Sequence, residues 1–230
     1  MRVLPRFSAH PPQEHLAISP PPTFQKESAD RFGNRVLHIH HSHIEREFLL
    51  RLECHFPQSP FISNEVGSLG VWKMPSRAVP FSPDLGEIAR SCRRLSPLER
   101  AHALNTFVFE SLTYQTHSTD KPANATQIWQ QKHGSCADFA HVLLTLSRAS
   151  GLAARYVAGF GPAPGALHAW VEISIRGTWH PFDPTHGREA TGLYWPVAVG
   201  RDYYDCPPHR GVFHGQSARL ELECELQSGT

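Results

Sequence analysis

GSCADFAHVLLTLSRASG, residues 134–151, decides how this chain is read. Apolar Phe139, Val142, Leu143 and Leu146 recur at helical spacing, and Gly151 supplies a left-handed stop. Ser135 and Asp138 stand in the relation of a capping box, which puts Cys136 at the first helical position. There the N–H groups that the helix leaves unused, together with its macrodipole, favour an anion. The thiol is therefore expected to ionise readily and to act as a nucleophile. A cysteine needed only for packing requires no such placement.

A thiolate nucleophile needs an imidazole beside it, and the imidazole needs an acceptor on its other nitrogen to fix tautomer and orientation. The stretch HAWVEISIRGTWHPFDP, residues 168–184, is able to supply both. With Arg176-Gly177 as a two-residue hairpin turn, Ile175 faces Thr178, and the same register puts His168 opposite Thr185. Asp183 is then the diagonal neighbour of His168 on one face, about 7–8 Å away backbone to backbone, a gap that an imidazole and a carboxylate can close. A slip of one residue would destroy the alignment. Trp170 shares the His168 face, while Ala169, Val171, Ile173 and Ile175 form an apolar face turned toward the helices.

The flanking sequence supplies the framework. Between Glu47 and Phe56, Phe48, Leu50, Leu52, Cys54 and Phe56 alternate with Leu49, Arg51, Glu53 and His55, the period of two of a half-buried strand. SPDLGEIARSC starts a helix with Ser82 as N-cap and Pro83 as first residue, its buried face being Leu85, Ile88, Ala89 and Cys92. SPLERAHALNTFVFESL repeats the design, with Ser96 and Glu99 as capping box and Ala101, Leu104, Val108 and Leu112 as the stripe. A short helix spans roughly 125–132, ARYVAGF is a further strand, and SARLELECEL near the end alternates like a strand with one wet face.

The 230 residues carry a net charge of +1, with 40% hydrophobic and 19% charged residues. That balance is globular and gives no electrostatic footprint for nucleic acid or an anionic membrane surface. Neither a secretory h-region nor a bilayer-length apolar run is evident, so a cytoplasmic location is expected. Five cysteines without paired spacing indicate thiols, neither a disulfide framework nor a zinc knuckle. Cys54, Cys92 and Cys224 read as buried small hydrophobes and Cys206 as an exposed loop thiol. The segment HIHHSH (His38, His40, His41, His43) has no carboxylate or cysteine at compatible spacing and is read as a soluble strand end; no metal and no cofactor are expected. His141 lies well round the helix from Cys136 and reads as a packing or hydrogen-bonding group, not the base.

The blocks GSCADFAHVLLTLSRASGLAARYVAGF, LHAWVEI and WHPFDPTHG resemble the Cys, His and Asp blocks of bacterial transglutaminase-like proteins, relatives of animal transglutaminases and papain-type peptidases. GRDYYDCPPHRGVFHG resembles the block that follows in the bacterial branch, and DRFGNRVLHIHHSHIEREFLLRLECHF resembles that branch's N-terminal β domain. The resemblance implies an α+β fold, a papain/transglutaminase-like core of helices packed on an antiparallel sheet, preceded by a small β-sandwich-like domain. Residues 1–74 are assigned to the N-terminal β domain, lacking the first strand usual in such proteins, and 75–230 to the catalytic domain with a C-terminal strand. It further implies a triad of Cys136 as nucleophile, His168 as base and acid, and Asp183 as orienter.

The implied reaction is acyl transfer from an amide or isopeptide bond of a peptide or protein through a thioester, resolved by water in a peptidase or amidase and by an amine in a transglutaminase. A catalytically silent peptide-binding module is the alternative of another class. Tyr114, Trp170 and Tyr203 are the candidates for oxyanion or substrate contacts. The chain departs from the usual pattern in having Gly-Ser-Cys-Ala-Asp for Gly-Val-Cys-Gln-Asp and Asp-Pro-Thr-His for Asp-Pro-Thr-Asn, surroundings that bear on substrate preference. Oligomeric state is not legible.

Overall fold

The computed structural model describes residues 1, 13–55, 68–115, 123–161, 167–192, 194–208 and 210–215. The expected C-terminal strand with Cys224, and Phe56, lie outside the described residues. The first part of the chain is β structure: β1 (Gln13–Ser19), β2 (Phe24–Ala29), β3 (Arg35–His40) and β4 (Leu49–His55). β1 pairs with β4 and β2 with β3, both antiparallel. Along β4 the expected alternation holds, with Leu50, Leu52 and Cys54 half-buried between exposed neighbours. Residue 74, the expected domain boundary, lies between β4 and the first helix.

The remainder is built from α1 (Pro83–Ser91), α2 (Pro97–Ser111), β5 (Thr113–Tyr114), α3 (Ala125–Gln131), β6 (His133–Gly134) and α4 (Cys136–Ala149). β7 (Ala153–Phe160), β8 (Leu167–Ile175), β9 (Thr178–Asp183), β10 (Arg188–Glu189) and β11 (Trp195–Gly200) follow. The last five form one antiparallel sheet in the order β10-β9-β8-β7-β11. The caps read from the sequence are present: Ser82 accepts from the Leu85 N–H, Pro83 and Pro97 open their helices, and Ser96 with Glu99 forms a capping box.

The α4 helix is more deeply placed than its stripe implied, being buried on every side from Ala137 to Arg148. α1, α2 and α3 pack on it from one side and β7 and β8 from the other. Small residues on the faces outside the stripe, Ala137, Ala140, Thr145 and Ser147, allow that close approach. Of the polar side chains that α4 carries into the interior, Asp138, His141, Thr145 and Arg148 are hydrogen-bonded, which offsets the cost of their burial. The Arg148 guanidinium donates to the carbonyls of Met74 (3.1 Å), Ala154 (3.0 Å) and Arg201 (2.6 Å), tying three segments to the end of the helix.

Both faces of the five-stranded sheet are covered. Ala169, Val171, Ile173 and Ile175 of β8 join the helical core, while Trp170 packs on the outer face with Trp72, Val157, Trp179, Tyr194 and Val199. The N-terminal β region meets this sheet at β11: the Asn34 amide donates to the Val199 carbonyl (2.7 Å) and accepts from the Val199 N–H (2.8 Å). One side chain thus takes the bonding position of a neighbouring strand. Among the described residues no helix is long and apolar enough to cross a membrane.

Candidate active site

The start of α4 is shaped around the Asp138 carboxylate. Its Oδ2 accepts from the Ser135 N–H (2.8 Å) and the Ser135 hydroxyl (2.7 Å), which fixes the turn just ahead of Cys136. Gly134 is required there because a Cβ at that position would lie 2.6 Å from the Asp138 Cβ. Cys136 is half-buried at the first helical position, where backbone N–H groups have no partner within the helix.

The imidazole and carboxylate arrive through the hairpin. Arg176 (φ 52°) and Gly177 (φ 85°) are both left-handed, as the two-residue turn demands, and the pairing runs from Ile175↔Thr178 to Val171↔Phe182 without a slip. His168 Nε2 lies 2.8 Å from Asp183 Oδ2. Burial lowers the His168 pKa, but hydrogen bonds to Asp183 and to the Cys136 thiol more than offset this and raise it to about 9. The sulfur is thus close enough for its bonding and charge to act on the ring, and with Nε2 committed to Asp183 it is Nδ1 that remains for the thiol.

Asp183 is fully buried, and burial alone would raise its pKa. Bonds from His168, Tyr194 and His186 reverse that and hold it well below the usual carboxylate range. The Tyr194 hydroxyl donates to Oδ2 at 2.6 Å, and His186 Nδ1 lies 2.7 Å from the same oxygen. Oδ1 accepts from the backbone N–H groups of Thr185 (2.9 Å) and His186 (3.3 Å). Because the carboxylate is anionic and only accepts, the two ring nitrogens facing it carry protons. Burial and the bond to Asp183 push the Tyr194 hydroxyl up to about 12, so it stays a donor throughout the neutral range.

Gly161 closes over the imidazole: a Cβ there would lie 3.0–3.1 Å from the Cβ, Cγ and Cδ2 atoms of His168. Gly161→Ala is expected to tilt the ring and lower the thiol's alkylation rate about tenfold while shifting Tm by no more than a few degrees, as checked by timed alkylation and a thermal melt.

The profile of the transglutaminase-like superfamily matches residues 87–184, the span holding Cys136, His168 and Asp183. That span is transglutaminase-like. An uncharacterized protein of Mycobacterium tuberculosis is 29% identical over 92% of this chain and 79% of its own length. An uncharacterized protein of Mycobacterium leprae is 31% identical over 60% of this chain and 53% of its own. In the fold, a candidate cysteine protease of Cytophaga hutchinsonii superposes with a TM-score of 0.72 at 22% identity, covering 90% of this chain and 76% of that one.

The three secondary candidates occupy different places. Tyr114 is 53% exposed on β5, whose backbone pairs with β6 just ahead of Cys136, and the thiol's charge, after desolvation, raises its pKa. It lies at the mouth of the site. Trp170, expected among the substrate contacts, is instead 1% exposed, stacked beside His168 (centroids 6.3 Å apart) and edge-on to Tyr194 (5.4 Å). It supports the site from beneath. Tyr203 is half-buried against the helical core, and its N–H donates to His141 Nε2 (3.3 Å).

His141 is fully buried, and Nε2 must be the acceptor of that bond, so Nδ1 carries the proton toward the Ala123 carbonyl (3.3 Å). This neutral histidine holds α4 to its neighbours, as the sequence reading expected. Gln127 and Gln131 serve backbone groups, at Asn124 N–H and the His133 carbonyl. Cys206 corrects the reading of an exposed loop thiol: it is fully buried, closing the turn Tyr203–Asp205 with its Sγ 3.5 Å from the Asp202 carbonyl.

Sequence reasoning missed Tyr194 and His186. The signal for His186 was present in Asp-Pro-Thr-His, where a ring stands three residues after the aspartate; nothing in the sequence around Tyr194 pointed to Asp183. His168, Asp183 and His186 together offer three ligand atoms within 4.8 Å of one another, a set able to hold a metal ion.

Proposed function

We propose that the protein is a cysteine-dependent acyl-transfer enzyme acting on amide or isopeptide bonds of a peptide or protein, with hydrolysis as the favoured outcome. The observation that carries this reading is the continuous relay from the buried Asp183 carboxylate through His168 to the thiol at the start of α4. Cys136 attacks the carboxamide carbon, forming a C–S bond, and the carbonyl electrons move onto oxygen. Its thiol proton is already held by His168, whose raised pKa keeps the ring an imidazolium through the neutral range. The N–H of Cys136 at the helix start is the natural oxyanion donor, supported by the helix dipole.

Collapse of the tetrahedral species expels the amine, which takes the proton from the imidazolium and leaves a thioester. Water, deprotonated by His168, releases the acid; an amine in its place completes a transfer. Asp183 keeps the proton on Nε2 and stabilises the imidazolium that forms. Trp170 and Tyr194 hold the ring and carboxylate in register.

Iodoacetamide at mildly acidic pH tests the reading. Cys136 is expected to alkylate at least about tenfold faster than Cys54, Cys92 or Cys206, and His168→Ala is expected to abolish the difference. Uniform slow alkylation would favour the silent binding module. Incubation with a glutaminyl peptide and a labelled amine then separates the two enzymes, since only a transferase incorporates label.

A further inference from the structure

The geometry points to a zinc-class metal site formed by His168, Asp183 and His186, whose occupation switches off the thiol chemistry. This deepens the proposed function, on which the regulatory part rests; the binding part does not depend on it. Two imidazole nitrogens and a carboxylate oxygen are a ligand set suited to zinc and poorly suited to calcium or magnesium, which prefer oxygen alone. The two ring nitrogens lie 2.8 Å and 2.7 Å from Asp183 Oδ2, and all three ligand atoms fall within 4.8 Å. Tetrahedral zinc, with bonds of about 2.0–2.2 Å, holds its ligand atoms about 3.4 Å apart, so small ring rotations suffice.

The carboxylate is already oriented by bonds of the kind that tune metal ligands: Tyr194 on Oδ2 and the Thr185 and His186 N–H groups on Oδ1. The His186 side chain is 41% exposed and opens a way in, whereas Asp183 is fully enclosed. The His168 and His186 rings are already neighbours, with centroids 5.4 Å apart. The Nε2 and Nδ1 protons leave to solvent as the ion enters. A ring ligated through Nε2 then no longer bonds Asp183 as a donor and, polarised by the dication, no longer takes the thiol proton. Catalysis itself needs no metal; the ion acts as a reversible stop.

The test uses the full chain with Cys136→Ala, so that neither catalysis nor a thiolate at residue 136 contributes. Zinc sulfate and calcium chloride are titrated by calorimetry into this variant and into the same variant carrying His186→Asn. One equivalent of zinc is expected to bind the first, with affinity reduced more than about tenfold in the second, and calcium is expected to bind neither, since loss even of outer-shell partners costs about 10–100-fold. Because the surface histidines and remaining thiols are common to both, the difference reports the proposed site alone. Unchanged zinc affinity on loss of His186 overturns the proposal. Should His186→Asn unfold, His186→Gln gives the same comparison. Zinc inhibition of amide turnover in the native chain, relieved by a chelator, tests the regulatory part separately.

Discussion

Asp183→Asn is expected to cut amide turnover by about 10³–10⁴-fold with little change in KM. The loss follows from the proton on Nε2, which the carboxylate both orients and stabilises as charge develops on the ring; an amide in its place holds the wrong tautomer as readily as the right one. The pH profile carries a second signature. In the native protein the imidazolium persists until pH rises through about 9, so the alkaline limb of activity is expected there. In the variant it moves down toward the ordinary histidine value near 6.5.

Stability follows the same pair. His168, raised in the fold, contributes fully below about pH 6.5 and loses its contribution as pH climbs through about 9. Asp183, lowered in the fold, contributes above its unfolded value near 3.8 and loses that contribution in acid. One interaction is counted from two sides, so its worth is on the order of 3 kcal/mol in total. Tm is expected to be highest between about pH 4 and 6.5, and thermal melts of Asp183→Asn across about pH 2–10 are expected to flatten both limbs. Parallel curves for variant and native protein would mean that the pair does not couple to folding.

Trp170→Ala is expected to destabilise the protein by about 3–5 kcal/mol, the usual cost of emptying an aromatic site in a close-packed interior. For a chain of this size that is a fall in Tm of roughly 6–20 °C. Trp170 lies beneath His168 and Tyr194, so turnover measured well below the new Tm is expected to fall through kcat, with KM unchanged. A rise in KM with an unaltered Tm would make the ring a substrate contact instead. Trp170→Phe, keeping most of the volume, is expected to recover most of both quantities.

The hairpin was legible because a two-residue turn leaves one register, and that register delivers His168 to Asp183 from sequence alone. The start of α4 was legible for a similar reason: Gly134, Ser135 and Asp138 are each specified by local geometry. Both are short-range rules. What escaped depends on distant chain segments. The complete burial of α4 is set by three helices and a sheet arriving from elsewhere, and its stripe records only the most apolar side. Trp170 shares a strand face with His168, as read, but the outer-face cluster that covers it includes Trp72 and Phe32 from far upstream, which periodicity cannot reveal. Tyr194 reaches Asp183 across a loop, and Cys206 sits in a turn whose burial depends on the core behind it.

The Asn34 amide that completes β11 ties the two parts of the chain together in a particular way. A strand whose outermost peptide groups are satisfied by a side chain from another region is not a finished surface when that region is cut away. The segment carrying Cys136, His168 and Asp183, expressed without the preceding strands, would present Val199 N–H and C=O as an open template for a second molecule. The β region at the front of the chain therefore closes an edge of the sheet as well as adding to the architecture, and the unit that must be kept whole is longer than the segment that holds Cys136, His168 and Asp183.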